Sequence, residues 1–503
     1  MDSRWLREAR AVAALIGRRV NLTIPSILAE GEPFALRVSV TGPDALPVDD
    51  FPHALLFEGS VGVDGLPASV RLERGASTAR LDGLTARGPG AAVIRARVEG
   101  PAPAGAPGLI ASNPAWVSRE PAERLYWGDL HVHTRFSNCS GWRCLDPEWG
   151  YAFARDVSLL DFVAPADHLR GIASDPARWP RLQKAARAHD EPGRFATFLA
   201  CESSHAQGFG GDNNVYYLDD DAPYFWLDRD DMRGIAPRVH LRELWAWLDA
   251  RARPYFTVPH HTGRAAKYRS WDEDCYNPVR EPLFEIYSSW GSSETRHTRL
   301  PISGGNNDAA SYFVDALKAG ARFGVIASSD DHATLPGSVH HFRTDSYAVP
   351  TLNGFAHKGL AAVRASRLGR AELFASLTAR ATYATTHART LVEMRVGDAT
   401  MGQDVPADAS LRGRREVRVR LTLHGATAAR VTLMRNGETF ASQSLRGPEL
   451  AERVNEVVFE DPEPFERAAV RGARFHPDPF LVYYARVEDA NGAHQWTSPI
   501  WIG

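Results

Sequence analysis

The stretch D-L-H-V-H-T at residues 129–134 carries the prediction of the fold. Side chains alternate along a strand, so His131 and His133 point to the same side and both imidazoles can reach one metal ion. A His-x-His pair alone is a weak signal, because a polar strand face gives the same pattern. Here, further acidic and histidine residues each follow a short apolar run, a repetition that chance does not readily explain. These residues are Asp167, His168, Glu202, His260, His261, Glu285, Asp330, Asp331 and His332.

Around this stretch, from about Tyr126 to residue 388, short apolar runs alternate with segments of helical character. The runs predict strands at residues 160–166, 195–201, 255–258, 283–287 and 323–327. Proline after Asp146 predicts the start of one helix, and an amphipathic stripe predicts another at 240–253. Alternating strands and helices are typical of a parallel sheet or barrel, in which residues at the carboxyl ends of strands meet on one face. The sequence therefore predicts one shared pocket.

The two ends of the chain have a different character, with short alternating apolar and polar runs separated by glycine and proline. Asn436-Gly437 and Asn491-Gly492 each stand between two such runs, which is the pattern of a β-hairpin. We therefore predict an α/β protein in three parts. They are an N-terminal β-sandwich at residues 1–122, an α/β barrel at 123–388 and a C-terminal β-sandwich at 389–503.

Composition limits the class of protein and its partners. A formal net charge of −3 over 503 residues lacks the basic excess of a nucleic-acid-binding protein, and no apolar run has the length of a membrane-spanning helix. Four cysteines are few, and although Cys139 and Cys144 could form a bridge, the reduced state is the simpler interpretation. We predict a cytoplasmic protein with a small-molecule substrate, no nucleic acid and no membrane partner. The sequence does not indicate an oligomeric state.

Imidazoles and carboxylates in one pocket suit zinc, manganese or iron. Carboxylates that bridge suit two ions, which together can generate hydroxide at neutral pH and stabilise the attacking and leaving oxygens at phosphorus. Other interpretations stay open for single residues, since Asp167 could instead cap a helix. One of His260 and His261 is expected to bind a metal. One of Asp330 and Asp331 is expected to do so too, while the other caps the next helix.

The motifs taken together resemble a known group of enzymes. The sequence resembles the polymerase and histidinol phosphatase (PHP) superfamily of metal-dependent phosphoesterases in H-V-H-T at 131–134, D-H at 167–168, Glu202, H-T-G-R at 261–264 and S-D-D-H at 329–332. It is more closely similar to the DUF3604 family in L-Y-W-G-D-L-H at 125–131, E-I-Y-S at 285–288, G-S-S-E at 291–294, R-A-T-Y-A-T-T at 380–386 and W-T-S-P-I-W at 496–501. The resemblance covers about residues 110–503. It implies a PHP-like distorted (β/α)7 barrel and up to three metal ions. Together with the ligand types, it leads us to predict two or three divalent ions, which are manganese, zinc or iron.

The resemblance also implies which residues bind the ions. It implies a first ion bound by His131, His133, Glu202 and Asp330. Glu202 would bridge to a second ion held by His261. Glu285 is a further ligand of the second ion in this interpretation, although it could instead pair with a basic side chain.

The third ion is the one that the chain supports least. The resemblance implies that His168, His332 and an acidic residue soon after the first motif would bind it. Asn138 and Cys139 stand at the place expected for that acid, and the acidic residues at 146 and 148 lie further on. We therefore expect a third ion to be weak or absent unless one of residues 138–148 supplies a ligand. A Cys139 thiolate would favour zinc, because soft sulfur ligands select it over manganese.

Residues near the motifs are predicted to act on the substrate. The predicted substrate-binding residues are Arg264, Lys267, His205, Arg296, Arg380 and Tyr383. For Arg264 and Lys267, the basic residues that follow His261, a solvated loop is an equally good interpretation. The predicted catalytic residues are Asp330, His168 and His332, with one of the two histidines protonating the leaving oxygen.

The sequence therefore predicts a divalent-metal-dependent hydrolase, a phosphoesterase that cleaves a small-molecule phosphate ester through a metal-bound hydroxide. One alternative keeps the metals but has a sulfate ester or a carboxylic ester as its substrate. A different alternative is a non-catalytic protein that binds a glycan or a partner. Histidines and carboxylates clustered without an ion would repel or lie unsatisfied, which argues against this last alternative.

Overall fold

The N-terminal region consists of short strands. The computed structural model describes residues 19–42, 45–99, 109–139, 144–232, 237–265, 269–271, 275–306, 310–338 and 359–503. The first strands are β1 (Arg19–Thr23), β2 (Ile27–Ala29), β3 (Pro33–Thr41), β4 (Ala54–Phe57), β5 (Val63–Asp64), β6 (Ser69–Arg71), β7 (Thr78–Ala86), β8 (Gly90–Ala92), β9 (Arg95–Val98), β10 (Ile110–Ala111) and β11 (Ala115–Ser118). They form the sheets β1-β3-β7-β5, β10-β9-β4-β6 and β2-β11-β8. Alternating residues such as Leu36, Val38 and Leu55 bury one face of these sheets in a shared apolar core.

The central region contains the strands that carry the predicted site. They are β12 (Arg124–Val132), β13 (Phe162–Pro165), β14 (Ala196–Thr197), β15 (Leu199–Ser204), β16 (Asp212–Tyr217), β17 (Tyr255–Pro259), β18 (Leu283–Ser288), β19 (Gly291–Ser292), β20 (Gly324–Ala327), β21 (Leu360–Ala365) and β22 (Thr382–Thr385). The apolar runs found in the sequence therefore correspond to strands. Each run is buried along its length, as in β13, β17 and β20.

Short helices connect these strands. They are α1 (Pro147–Ala152), which continues into a π-helix (Phe153–Val157), α2 (Leu169–Ala173), α3 (Arg178–His189), α4 (Leu241–Asp249), α5 (Phe313–Lys318) and α6 (Arg370–Thr378). Helix α1 begins at the predicted proline. Helix α4 buries the predicted stripe of Leu241, Leu244, Trp245 and Leu248. None of the helices in the described ranges has the length and apolar run that a membrane crossing needs.

The predicted (β/α)7 barrel is wrong. Strands make up 40% of the structure and helices 16%, and the described residues contain no closed barrel. Strand β12 pairs in parallel with β13 but antiparallel with β21, which in turn pairs antiparallel with β22. Strands β15, β16 and β17 form a separate antiparallel sheet. Only residues 205–211 join β15 to β16, and a parallel pair needs a crossover of about a dozen residues or more.

The C-terminal region is again built from strands. They are β23 (Leu391–Val396), β24 (Ala399–Thr400), β25 (Asp404–Val405), β26 (Arg415–Thr422), β27 (Ala428–Arg435), β28 (Glu438–Arg446), β29 (Asn455–Asp461), β30 (Leu481–Asp489), β31 (His494–Thr497) and β32 (Ile500–Ile502), with the short helices α7 (Ala409–Arg412) and α8 (Phe465–Ala468). Both predicted hairpins are confirmed, because β27 pairs antiparallel with β28 and β30 with β31.

One sheet joins the central and C-terminal regions. Strand β22 pairs antiparallel with β31, so the sheet runs in the order β14-β13-β12-β21-β22-β31-β30-β27-β28. The large sheet therefore contains strands from both sides of the boundary predicted at residue 388, whereas β23, the next strand along the chain, belongs to the separate sheet β24-β23-β26-β29. A single apolar core extends from Trp127 and Leu360 to Val431 and Leu481, which braces β12 from the C-terminal side.

Candidate metal centre

The side chains of the predicted pocket come from the ends of neighbouring strands. Strand β12 carries His131 and ends just before His133, and β15 carries Glu202. Strand β17 ends just before His260, and β20 is followed closely by Asp330. The main chain bridges β12 to the last of these segments, because the His133 amide donates to the carbonyl of Asp331 over 2.9 Å. The predicted convergence on one pocket therefore occurs although the barrel does not.

Three imidazoles face the Asp330 carboxylate through their Nε2 atoms. His133 Nε2 lies 2.9 Å from Oδ1, His260 Nε2 lies 3.3 Å from Oδ2 and His131 Nε2 lies 3.6 Å from Oδ1. Glu202 Oε2 approaches the same space, 3.6 Å from His133 Nε2 and 3.7 Å from His131 Nε2. Ligands at roughly 2.1 Å from a tetrahedral ion lie about 3.4 Å from one another. The spacing therefore suits a cation among these five side chains.

Glu285 lies behind two of these imidazoles. Its Oε1 is 2.9 Å from His260 Nδ1, and its Oε2 is 3.3 Å from His131 Nδ1. The Asn214 amide also donates to Oε2 over 3.1 Å. A carboxylate that holds the Nδ1 side of an imidazole orients the ring and turns Nε2 toward a metal. This geometry favours Glu285 as a residue that orients His131 and His260. Its role as a ligand stays a prediction, because ligand atoms of His131, His260 and Glu285 also lie within 4.8 Å of one another.

His261 belongs to the other side of the cluster. Ligand atoms of Glu202, His260 and His261 lie within 4.8 Å of one another, and His261 Nε2 is 3.3 Å from Asp212 Oδ2. His261 and Asp330 both have a positive φ, of 36° and 48°. A residue other than glycine held in this region costs about 1–3 kcal/mol, and such strain clusters at functional sites.

A second group of potential ligands borders the first. His133, Cys139, His168 and His332 each offer a ligand atom, and these atoms lie within 4.8 Å of one another. The ring centroid of His133 is 4.1 Å from that of His332 and 4.7 Å from that of His168. His168 Nδ1 is 2.6 Å from Glu202 Oε2, so the two groups share one pocket. His168 and His332, predicted as ligands and catalytic residues, are therefore both present in it.

Asp167 positions His133 through a short chain of hydrogen bonds. Its carboxylate accepts from the Thr134 amide and hydroxyl, each over 2.6 Å, and from the Ser137 hydroxyl over 2.7 Å. Ser137 Oγ in turn lies 2.7 Å from His133 Nδ1. Asp167 therefore fixes the turn after β12 and, through Ser137, the ring of His133. Sequence reasoning missed Ser137, which has no motif signal of its own.

Asp129 is a further buried carboxylate that sequence reasoning did not assign to the site. It accepts from the amides of Ser329 and Gly337, each over 2.9 Å, and burial raises its pKa to about 6. Strand alternation could have found it, since residues 129, 131 and 133 share one face. Asp331 accepts from the amides of Ala333 and Leu335, so it caps a turn, whereas the sequence predicts that one member of the pair caps a helix.

The charges of the cluster are interdependent. Burial opposes charging, yet Glu202 raises the pKa of His168 to about 9 and Glu285 raises that of His260 to about 9. Although burial acts the other way, neighbouring imidazoles hold the pKa values of Glu202 and Asp330 well below their usual range. The carboxylates are thus ionised and require positive charge beside them, supplied either by protons on imidazole or by cations.

Several buried atoms in the cluster lack a hydrogen bond. Within the described residues, His131 Nε2, His168 Nδ1, Glu202 Oε2 and Asp330 Oδ2 are buried and have no hydrogen-bond partner. His168 Nδ1 and Glu202 Oε2 lie 2.6 Å apart and attract each other as an ion pair, although their contact does not have hydrogen-bond geometry. Each buried polar atom without a partner costs about 1–3 kcal/mol. The donor set fits divalent cations, which would satisfy these atoms.

Two of the predicted substrate-binding residues lie beside the cluster. The Arg264 guanidinium stacks on the Trp290 ring at 3.6 Å, and Trp290 packs edge-on against His261. His205 is buried, with Nε2 2.9 Å from Ser203 Oγ, and burial lowers its pKa to about 4. Arg264 therefore brings a cation to the pocket, and His205 a neutral imidazole.

The remaining predicted substrate-binding residues do not meet the cluster. Arg296 pairs with Asp315 of α5 over 3.0 Å. The Tyr383 hydroxyl donates to the carbonyl of Thr390, and its ring packs on Trp127. Arg380 precedes β22 at the end of the sheet opposite to His131, because β21 and β22 both pair antiparallel. Lys267 lies outside the described residues.

A small pocket beside His168 contains a residue that the sequence did not single out. The pocket is lined by His168, Arg170, Ser203, His205 and Trp226, among others. Arg170 is half-buried there and forms no ion pair within the described residues. Its position two residues after the D-H motif is the signal that could have found it.

Three proteins of Chlamydia species are similar to this chain. No protein-family model matches it. It is similar to a Chlamydia pneumoniae protein described only as uncharacterized, 24% identical over 401 residues, which are 78% of this chain and 60% of that protein. Uncharacterized proteins of Chlamydia muridarum and Chlamydia trachomatis are 28% and 27% identical over 254 residues, 49% of this chain and 38% of each. The chain thus spans less than two thirds of the length of these curated relatives.

Two solved structures that align with the chain both have low TM-scores. An engineered protein aligns with 75% of this chain and 86% of its own at 11% identity, with a TM-score of 0.21. A part of native alpha-2-macroglobulin from Escherichia coli aligns with 96% of this chain and 98% of its own at 10% identity, with a TM-score of 0.15. These scores are too low to support a shared fold.

Proposed function

We propose that this protein is a divalent-metal-dependent hydrolase that cleaves a phosphate ester of a small molecule. The observation that carries the proposal is the buried convergence of imidazoles and carboxylates with hydrogen-bonding atoms left unsatisfied. Burying such groups without a compensating partner is costly, so the arrangement favours bound cations. The motif resemblance to the PHP superfamily and the DUF3604 family supports the same class of reaction.

We assign two strongly held ions to the carboxylate-bearing part of the cluster. The first is bound by His131, His133, Glu202 and Asp330. The second is bound by Glu202, His260 and His261, whose ligand atoms lie within 4.8 Å of one another. Mixed imidazole and carboxylate ligands suit manganese, iron or zinc. Bound there, the ions would supply a nucleophile from water and offset the charge that develops at phosphorus.

The side chains around the cluster suit an anionic substrate. The Arg264 guanidinium lies on the Trp290 ring near His261, and Arg170 lines the small pocket beside His168; a guanidinium can bind two phosphate oxygens at once. The buried, neutral His205 and Trp226 line the same small pocket beside His168. Two cations and two guanidinium groups favour a phosphate dianion over a carboxylic ester, which carries no charge at the reacting group.

Metal analysis and a substrate panel test the proposal. Protein stripped by a chelator and then given manganese, zinc or iron should retain more than one ion per chain by elemental analysis. It should then release inorganic phosphate from small phosphate monoesters or diesters in a metal-dependent manner. Cleavage of sulfate esters or carboxylic esters instead would favour the alternative substrate. Failure to bind any ion, or binding without turnover of any ester, would overturn the proposal in favour of a non-catalytic binding protein.

Two histidine variants test whether the reaction depends on the cluster and not on a histidine elsewhere in the molecule. His133→Ala removes a ligand atom, whereas His53→Ala removes an imidazole from the N-terminal region, where it packs on Phe51. We expect the first variant to lose metal-dependent phosphate release and the second to retain it. Equal activity of both variants would mean that the cluster does not carry the reaction.

A further inference from the structure

We propose that the cluster contains a metal position of a different chemical kind, in which the thiolate of Cys139 binds a zinc-type cation together with His168 and His332. This position lies beside the two carboxylate-bearing positions and differs from them in the kind of metal that it binds. It does not depend on the reaction of the proposed function. Its consequence is that one pocket holds unlike ions, with zinc at the sulfur-bearing position and a harder ion such as manganese beside it.

The ligands follow from the contacts of the four side chains in this group. Ligand atoms of His133, Cys139, His168 and His332 lie within 4.8 Å of one another. His133 is already engaged on both nitrogens, with Nε2 2.9 Å from Asp330 and Nδ1 2.7 Å from Ser137. It therefore belongs to the carboxylate-bearing position. Cys139, His168 and His332 remain, which is the ligand number of a site that keeps one position open.

The turn after β12 directs Cys139 rather than Asn138 toward the cluster. Asn138 has a φ of 55° and follows the short 3-10 helix Arg135–Ser137. Its amide donates to Ser174 Oγ over 3.0 Å, and its carbonyl oxygen accepts from Arg178 over 2.9 Å. Asn138 is therefore occupied in holding the turn. The next residue, Cys139, presents its sulfur to the imidazoles.

The nearby acidic residues do not supply the missing carboxylate. Glu148 pairs with Arg181 over 2.9 Å, and Asp146 lies 3.2 Å from the same guanidinium. The side chains of both acids are more than a third exposed, and no candidate metal group among the described residues includes either of them. Among the described residues 138–139 and 144–148, Cys139 is therefore the side chain that can supply a negatively charged ligand to this position.

Cys144 is a neighbour of the site and not a ligand. Its Sγ donates to the main-chain oxygen of His332 over 3.2 Å, so it is a protonated thiol. This bond also holds the segment that carries His332. Thiolate and imidazole are the ligand types of zinc sites, whereas manganese prefers oxygen ligands. The position therefore selects zinc, and the neighbouring carboxylates accept manganese or iron.

Cobalt substitution tests the sulfur ligand directly. Metal-free protein given Co²⁺ should show a near-ultraviolet charge-transfer band from thiolate to cobalt. The band should vanish in Cys139→Ser and remain in Cys275→Ser, a matched buried cysteine that lies near His240. Cys139→Asp should bind cobalt without the band, which keeps the test valid if the serine variant fails to fold. A band that is absent from the unsubstituted protein, or that persists in both Cys139 variants, would overturn the proposal.

Competition between metals tests the selectivity. Metal-free protein dialysed against equal concentrations of zinc and manganese should retain both, and anomalous diffraction at the zinc edge should locate zinc beside Cys139. Cys139→Asp should lower the zinc-to-manganese ratio at this position about tenfold or more, the scale of a change in the ligand environment. An unchanged ratio would overturn the proposal. If phosphate release fails while the cobalt band is present, only the proposed function is refuted.

Discussion

Two buried networks of charged side chains differ in how completely their hydrogen bonds are made. In the C-terminal region, Arg415 donates to Asp461 over 3.1 Å, to the Tyr483 hydroxyl over 2.9 Å and to the carbonyl of Leu411 over 2.9 Å. In the central cluster, Glu202 Oε2 and Asp330 Oδ2 find no hydrogen bond within the described residues. Burial is equally deep in both. A network in which every hydrogen bond is made stabilises the fold without another group. A buried network that leaves polar atoms without hydrogen bonds favours the binding of a further partner.

The two networks also differ in how their charge is balanced. Arg415 and Arg435 face Asp461, so permanent guanidinium charges neutralise the carboxylate at any ordinary pH. Glu202 and Asp330 face imidazoles, whose charge depends on bound protons. Cations can replace those protons. The central cluster is thus the network whose charge is adjustable, and it is where we expect the metals.

The largest effect is expected from breaking the incomplete network. His133→Ala should lower metal-dependent turnover by at least about a hundredfold, the scale of removing one positioned electrostatic group at a reacting centre. The fold should persist, because the imidazole contacts the pocket and not the apolar core. Three measurements on the same sample check this. Elemental analysis gives the bound metal, phosphate release gives the turnover, and thermal unfolding shows whether the fold persists. Turnover at the unsubstituted rate would show that His133 does not bind the ion.

Breaking the completed network should affect stability and leave the metals in place. Asp461→Ala leaves the buried Arg415 without its carboxylate, which should lower the free energy of unfolding by about 3–5 kcal/mol. Glu460→Ala, one residue earlier, removes an exposed partner of Arg414 and should cost about 0–1 kcal/mol. Chemical denaturation with metal analysis compares the two variants. Loss of metal from Asp461→Ala while it remains folded would contradict the separation of the networks.

A smaller effect is expected from a residue that orients ligands. Glu285→Gln keeps the shape of the side chain but weakens its hold on His131 and His260. Metal affinity should fall about 10–100-fold, the usual cost of losing such an outer partner. Titration of metal-free protein with a competing chelator measures the affinity. A complete loss of binding would instead make Glu285 a ligand, as the sequence predicts.

The adjustable charge of the cluster predicts a gradual dependence on pH. The pKa of His168 and of His260 is raised to about 9, against an ordinary value of 6.5. A pKa raised by folding adds stability that is fully present below pH 6.5 and is lost as pH rises through about 9. The Tm of metal-free protein should therefore fall between these values. Metal-loaded protein, with its imidazoles already deprotonated, should not show this fall, and equal profiles would contradict the assignment.

The smallest effect is expected on KM, when an arginine without an ion pair in the described residues is compared with one that forms an ion pair. Arg170 lines the pocket beside His168, whereas Arg296 is engaged by Asp315. With a phosphate ester substrate, Arg170→Ala should raise KM severalfold. A hydrogen bond to a charged group contributes about 1.5–3 kcal/mol net, which is about tenfold or more, and solvent at the half-buried Arg170 reduces this effect. Arg296→Ala should leave KM unchanged. A larger effect of Arg296→Ala would show that the substrate lies on the other side of the cluster.

Much of the site was predictable because its signals are local. Alternation along β12 puts residues 131 and 133 on one face, and the apolar runs before Asp167 and Asp330 mark buried strands with polar ends. The hairpins at 436–437 and 491–492 were predictable for the same reason, since their turn residues adjoin the strands that they join. The buried strands and the hairpins, which depend on neighbouring residues, are therefore as predicted.

The local sequence pattern could not show that the predicted barrel is wrong. An apolar run indicates a buried strand but does not indicate its neighbour in the sheet. Strand β21 is far from β12 in the sequence and pairs with it antiparallel, and the same sheet continues through β31 into the C-terminal region. Which strands pair depends on contacts between distant segments. For the same reason, Arg380 is at the opposite end of the sheet from the cluster to which the sequence assigned it.

By itself, the sequence determined which residue types stand at the strand ends, because strand period and apolar runs are properties of adjacent residues. Only the tertiary structure decided what these residues face. It put Glu285 behind the imidazoles of His131 and His260, and it turned Asn138 toward Ser174 while Cys139 faces the histidines. These orientations result from strand pairing and from one left-handed turn, which juxtapose side chains far apart in the chain. Motifs alone cannot encode such distances.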